Sequence, residues 1–162
     1  MTTRAAQYYD ALTGAWSGHY HLQVRDRKAL STLPARVRLT GFMAGVDGNM
    51  TMSTTLQRIG NGVYSHTTRM SRFGIPLLTS DEKITISGDG TEFVISGQQR
   101  MPFWREPFEG TGSIDEDALG ADYPISWLRQ PLRQRTRVQP EGLLLTQETS
   151  WSFASVLLRR LP

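Results

Sequence analysis

Four short turn sequences, Asp47-Gly48, Gly60-Asn61-Gly62, Gly88-Asp89-Gly90 and Pro140-Glu141-Gly142, cut this chain into segments of strand length. Each supplies residues that tolerate positive φ, as tight hairpin turns require. Gly74-Ile75-Pro76 is a weaker break of the same kind. Between them, strand composition and spacing predict strands over 15–25, 35–45, 49–59, 63–71, 77–80, 83–87, 92–100, 108–115, 123–128, 132–139, 143–149 and 151–160. Within these segments apolar and polar side chains alternate. Trp16, Tyr20, Leu22 and Val24 oppose Ser17, His19, His21, Gln23 and Arg25. Val37, Leu39 and Met43 oppose Arg36, Arg38 and Thr40. Met50, Met52 and Leu56 oppose Thr51, Ser53 and Gln57, and Phe93, Ile95 and Gly97 oppose Glu92, Ser96 and Gln98. One face of the sheet is therefore buried and the other is wet.

Hairpin-linked strands with no helix between them predict an antiparallel meander, and closing it into a barrel removes both of its edges. The expected fold is all-β: a closed antiparallel up-and-down barrel of about 8–10 strands, in one domain over 1–162. A short helix precedes it over 3–12, where Ala5, Tyr8, Tyr9 and Leu12 recur at helical spacing and Thr13-Gly14 ends the run.

Composition excludes several classes. There is no cysteine, hence no disulfide, thiolate metal site or cysteine nucleophile. No apolar run has the length of a membrane span, and the first residues carry no apolar leader, so a cytoplasmic location and no membrane partner are expected. Lys28 and Lys83 are the only lysines among 18 basic residues. That arginine bias reads as a high-GC, bacterial coding sequence. With a net charge of +3 and no basic stripe interleaved with aromatics, no nucleic-acid partner is expected. Glycine-rich phosphate loops, a Gly-x-Gly-x-x-Gly helix start and a Gly-x-Ser-x-Gly elbow are all missing, so no cofactor is expected.

Gly14-Ala15-Trp16, at the mouth of the first strand, together with an arginine near the end of the last (Arg159 or Arg160), resembles the calycin superfamily of lipocalins and fatty-acid-binding proteins. The resemblance implies a barrel with a small molecule inside, Trp16 closing one end and the arginine packing across it. Thr13-Gly-Ala-Trp-Ser-Gly18 also looks like the opening of the nitrobindin-like haem barrels. Those need a histidine in the C-terminal part, whereas His19, His21 and His66 are the only ones here. The Arg-x-Tyr of the fatty-acid carboxylate clamp is missing as well.

Candidate site residues follow from face and chemistry. Tyr64 and His66 share one strand face with Thr68 and Met70, and an inward face would make His66 an acid or base beside Tyr64. The opposite face is no more apolar, so a surface or core histidine stays open. Met101-Pro-Phe-Trp-Arg-Glu-Pro-Phe108 reads as a stiff rim loop. In it Phe103, Trp104 and Phe108 cap the cavity, Arg105 offers a polar contact, and Glu106 is a candidate general base; alternatively the aromatics plug the barrel end. Tyr20 and Met52 complete the ligand-binding set, methionine suiting an adaptable apolar surface. His19 and His21 share a polar face, but a metal site needs more ligands, and none is assigned. Arg133, Arg135 and Arg137 form either a solvated outer face or an internal anion site.

Two functions fit. One is a carrier or binding protein for a small apolar or amphipathic molecule. The other is a cofactor-independent cyclase or isomerase that folds a polyketide-like or other secondary-metabolite intermediate into a reactive shape, using Tyr64, His66 or Glu106. A homodimer is compatible with the sequence.

Overall fold

A computed structural model of the protein describes residues 4–35, 38, 49–102, 104–114, 119–125 and 130–162, with 49, 119, 121–125 and 130 described through the backbone alone. The elements run α1 (Arg4–Leu12), β1 (Gly14–Val24), α2 (Arg27–Ser31), β2 (Asn49–Gly60), β3 (Val63–Arg72), β4 (Ile75–Ile86), β5 (Glu92–Met101), β6 (Trp104–Ile114), β7 (Leu119–Ile125), β8 (Gln130–Gln139), β9 (Gly142–Glu148) and β10 (Ser152–Arg160). Every pairing is antiparallel between neighbours in sequence, except that β1 pairs with both β2 and β10. The strands follow the order β1-β10-β9-β8-β7-β6-β5-β4-β3-β2 in one curled antiparallel sheet.

The alternation read from the sequence sets which face turns in. Trp16, Tyr20 and Leu22 of β1 are buried while His19, His21 and Gln23 are exposed. Met50, Met52 and Leu56 of β2 and Phe93 and Ile95 of β5 join the same core. The turns at 60–62, 88–90 and 140–142 lie between strands, with Gly62, Gly90 and Gly142 at positive φ (66°, 75° and 150°). Asp47-Gly48 and Val37, Leu39 and Met43 lie outside the described residues.

Three sequence expectations are corrected. Residues 77–80 and 83–87 belong to one strand, β4, because Asp81 and Lys83 point outward and the ladder with β3 continues through Thr67↔Asp81, His66↔Glu82 and Ser65↔Lys83. Residues 101–108 do not form a rim loop: β5 runs to Met101, β6 begins at Trp104, and the two strands pair as far as Met101↔Trp104. The strand expected over 35–45 does not begin at its first residues, since Ala35 and Arg38 are helical and the Arg38 N–H donates to the Pro34 carbonyl. A second helix, α2, was not legible. Five residues show no periodicity, and only the Asp26 cap, whose carboxylate accepts from the Ala29 N–H at 2.9 Å, marks it.

Helix α1 covers one end of the sheet. A nine-residue helix is marginal alone, and its docking is specific. Tyr9 stacks on Tyr64 (5.2 Å between ring centroids) and meets Phe93 edge-on (5.4 Å). The Tyr64 hydroxyl donates to the Ala6 carbonyl (3.1 Å) and to Asp10 Oδ1 (2.8 Å). Tyr8 donates to the Thr136 carbonyl at 3.1 Å. The Trp16 indole N–H donates to the Leu12 carbonyl at 2.9 Å, satisfying an acceptor at the helix C-terminus. Arg160 lies 5.2 Å over the Trp16 ring and donates to the Thr13 carbonyl. Of the two arginines expected across Trp16, Arg160 is the one in place.

This docking makes an alkaline prediction. Burial, then the Asp10 hydrogen bond, pushes Tyr64 up to about 12. Burial also raises Tyr8, Tyr9 and Tyr20. An unfolded tyrosine titrates near about 10, so between those values the folded state holds protons that the unfolded state has lost. The Tyr64 contribution to stability is therefore complete below about pH 10 and disappears as pH rises through about 12. Tyrosinate absorbance followed alongside circular dichroism will show these four phenols ionising together with unfolding, not before it.

Candidate functional site

Strands β2, β3 and β4 bring polar side chains together on the inner face, beneath α1. The register sets Thr54 opposite Thr68, His66 opposite Glu82, and Thr68 opposite Ser80. His66 Nδ1 lies 2.8 Å from Glu82 Oε2, with side chains 18% and 10% exposed. The Ser80 hydroxyl donates to the other carboxylate oxygen, Oε1, at 2.8 Å. On the far side of the ring, Nε2 is hydrogen-bonded to the Thr54 hydroxyl, with the Thr68 hydroxyl 3.5 Å away. Ser80 and the histidine thus fix both carboxylate oxygens, and the carboxylate fixes the ring.

That order of groups has a definite chemistry. When Nδ1–H donates to Glu82, Nε2 carries the lone pair and accepts from Thr54. A carboxylate-oriented imidazole with its second nitrogen toward a hydroxyl is the arrangement of a general base.

The cluster opens on a partly enclosed cavity of about 60 Å³. Tyr9, Leu12 and Trp16 roof it at the α1 end, and Met52, Leu56, Ile84 and Ile95 flank the cluster. Across from it stand Gln134, Thr136, Leu143, Leu145 and Leu158. Farther along the same inner face Tyr20 donates to Gln147 Oε1 (2.7 Å) and Gln147 donates to Gln134 Oε1 (2.7 Å). Space of this size holds a few waters at roughly 15 Å³ of probe volume each, or one small organic group.

The candidate residues divide on placement. His66 and Met52 line the cavity. Tyr64 does share the inward face but is fully buried against α1, where its hydroxyl is committed to Ala6 and Asp10. Tyr20 is buried on the inner face but outside the cavity lining, hydrogen-bonded to Gln147. Trp104 and Glu106 are half-buried on the Phe108 face of β6, outside the cavity lining. Arg105 is exposed on the opposite, outer face, because residues 104–108 form a strand and alternate. Phe103 lies outside the described residues. His19 and His21 are exposed, as are Arg133, Arg135 and Arg137, so those arginines build no internal anion site. The residue that sequence reasoning missed is Glu82. Its signal was hidden in Asp81-Glu82-Lys83, three charges that imitate a turn in the middle of β4.

No family model matches this chain, and no curated protein matches it. Solved structures do. The REP1-NXSQ fatty acid transporter aligns with a TM-score of 0.55 at 18% identity, over 94% of this chain and 98% of that one. A point mutant of the same transporter aligns equally well. Rv2717c from M. tuberculosis aligns with a TM-score of 0.61 at 12% identity, over the full length of both chains. The fold is shared. At such identities the likeness concerns the curled antiparallel sheet, and neither neighbour assigns a role to His66 or Glu82.

Proposed function

We propose that this chain is a calycin-like up-and-down barrel that holds a small, largely apolar molecule in the cavity beneath α1, as a carrier or binding protein. The observation that carries the reading is the lining: mostly aliphatic and aromatic side chains, with a few polar groups at the His66 cluster and at Gln134 and Thr136, the usual composition of a small-molecule site. The name of one structural neighbour, a fatty acid transporter, supports an apolar ligand. Ligand pockets for drug-sized molecules are larger, about 300–1,000 Å³, which favours a compact ligand here or the end of a longer one.

Narrowing the cavity tests this. Leu145 lines it and is buried, so Leu145→Phe will weaken binding of the neutral dye N-phenyl-1-naphthylamine at least about tenfold while the circular dichroism spectrum stays unchanged. Unchanged dye affinity in a folded variant puts the site elsewhere.

A second reading, a cofactor-independent cyclase or isomerase for a secondary-metabolite intermediate, is supported by the Glu82–His66–Thr54 relay facing that cavity. It requires His66→Ala and Glu82→Gln to remove turnover, whereas a carrier would show altered affinity alone.

A further inference from the structure

We infer that the polar end of the ligand is a neutral hydroxyl, alcohol or phenol, taken up by His66, and that the cavity rejects a carboxylate. This deepens the proposed apolar-ligand function and rests on it. Among the described residues lining the cavity, Glu82 is the single carboxylate and His66 the single basic side chain, with no arginine or lysine. Those two are already paired at 2.8 Å. An anionic head group would enter a small, largely apolar space beside the Glu82 carboxylate, with no guanidinium among the described lining residues to meet it. Fatty-acid recognition of the clamp type therefore has nothing to act through here.

A hydroxyl meets the opposite situation. His66 Nε2 points toward Thr54 and Thr68, whose hydroxyls lie 3.4 Å from one another. Nε2 already accepts from Thr54, so a ligand O–H either donates to the Thr54 or Thr68 hydroxyl oxygen, which relays it to the ring, or takes the place of Thr54 at Nε2. Thr136 and Gln134 on the facing wall are polar and uncharged. Tyr9, which roofs the cavity, reports the same field: its hydroxyl is held far above the ordinary value, first by burial and next by the charge of Glu82.

The test uses the full chain and three matched probes, 1-octanol, octanoate and methyl octyl ether, each displacing N-phenyl-1-naphthylamine at pH 7.5. Any apolar pocket prefers an alcohol to an anion, so two comparisons decide. Octanol should bind at least fivefold more tightly than the ether, which is as apolar but has no O–H to donate. Glu82→Gln, which keeps the shape and removes the charge, should raise octanoate affinity about tenfold. Ether binding as well as octanol, or octanoate indifferent to Glu82→Gln, overturns the head-group inference while the apolar-ligand reading stands. Failure of the wild-type chain to bind the dye or any probe overturns both.

Discussion

Phe93→Ala will lower stability by about 3–5 kcal/mol and the melting temperature by about 10 °C. Phe93 is 1% exposed and is among the largest fully buried side chains of the molecule. Its ring meets Tyr9 edge-on and lies against Gly112, where an added Cβ would sit 2.1 Å from Phe93 Cζ. The backbone of β6 is thus drawn in against the ring, and truncation leaves a void lined by strands whose ladders hold them in place. Because Phe93 supports α1 through Tyr9, amide exchange in α1 will accelerate more than exchange in β9 or β10. Val94→Ala, one residue along and 41% exposed, supplies the control, with an expected effect inside about 0.5 kcal/mol. Thermal melts of the two variants check the inward and outward faces of β5 directly.

Gly18→Val is expected to cost about 3 kcal/mol or more, at the upper end of overpacking penalties. A Cβ at Gly18 would lie 2.2 Å from the Leu157 carbonyl oxygen and 3.0 Å from its carbonyl carbon. These are backbone atoms of β10, and they cannot swing aside as a side chain would. The β1–β10 register is Ser17↔Arg159 before this point and Tyr20↔Val156 after it. Any relief must therefore separate the two strands. Gly88 has nothing within 4 Å of the equivalent position, so Gly88→Ala should be close to neutral. Denaturant melts of both variants settle the comparison. Equal stability of Gly18→Val and wild type would mean that β10 does not approach β1 at this residue.

Much of the fold was legible because hairpin turns and period-2 alternation are local properties. Gly60-Asn61-Gly62 and Pro140-Glu141-Gly142 stand between strands because positive φ is needed there whatever surrounds them. The inward set Trp16, Tyr20 and Leu22 was readable for the same reason. What escaped depends on partners distant in sequence. Glu82 looks like a turn residue until β3 lies beside it and His66 and Ser80 satisfy its carboxylate. Pro102 and Pro107 imitate the ends of a loop, yet Pro107 stands exposed in β6 opposite Gln98, an orientation the sequence does not encode by itself. Neither the inward face of Tyr64 nor its part as the anchor of α1 was readable, since the two faces of β3 are equally polar and its partners Ala6 and Asp10 lie on an element whose docking site no local pattern specifies.

The pairing of β1 with β10 bears on how the chain finds this structure. Every other ladder joins strands consecutive in sequence, and apart from β1–β2, whose connection runs over 25–48, each can form as a local hairpin with a short loop to close. The remaining seam joins opposite ends of the chain, with the Arg160–Thr13 contact spanning 147 residues. Its closure entropy is the largest in the molecule, and it brings no reward until both flanking sheets are already curled. Completing that seam is accordingly the expected late, rate-determining event in folding, and the same seam is the natural first place for the folded chain to part.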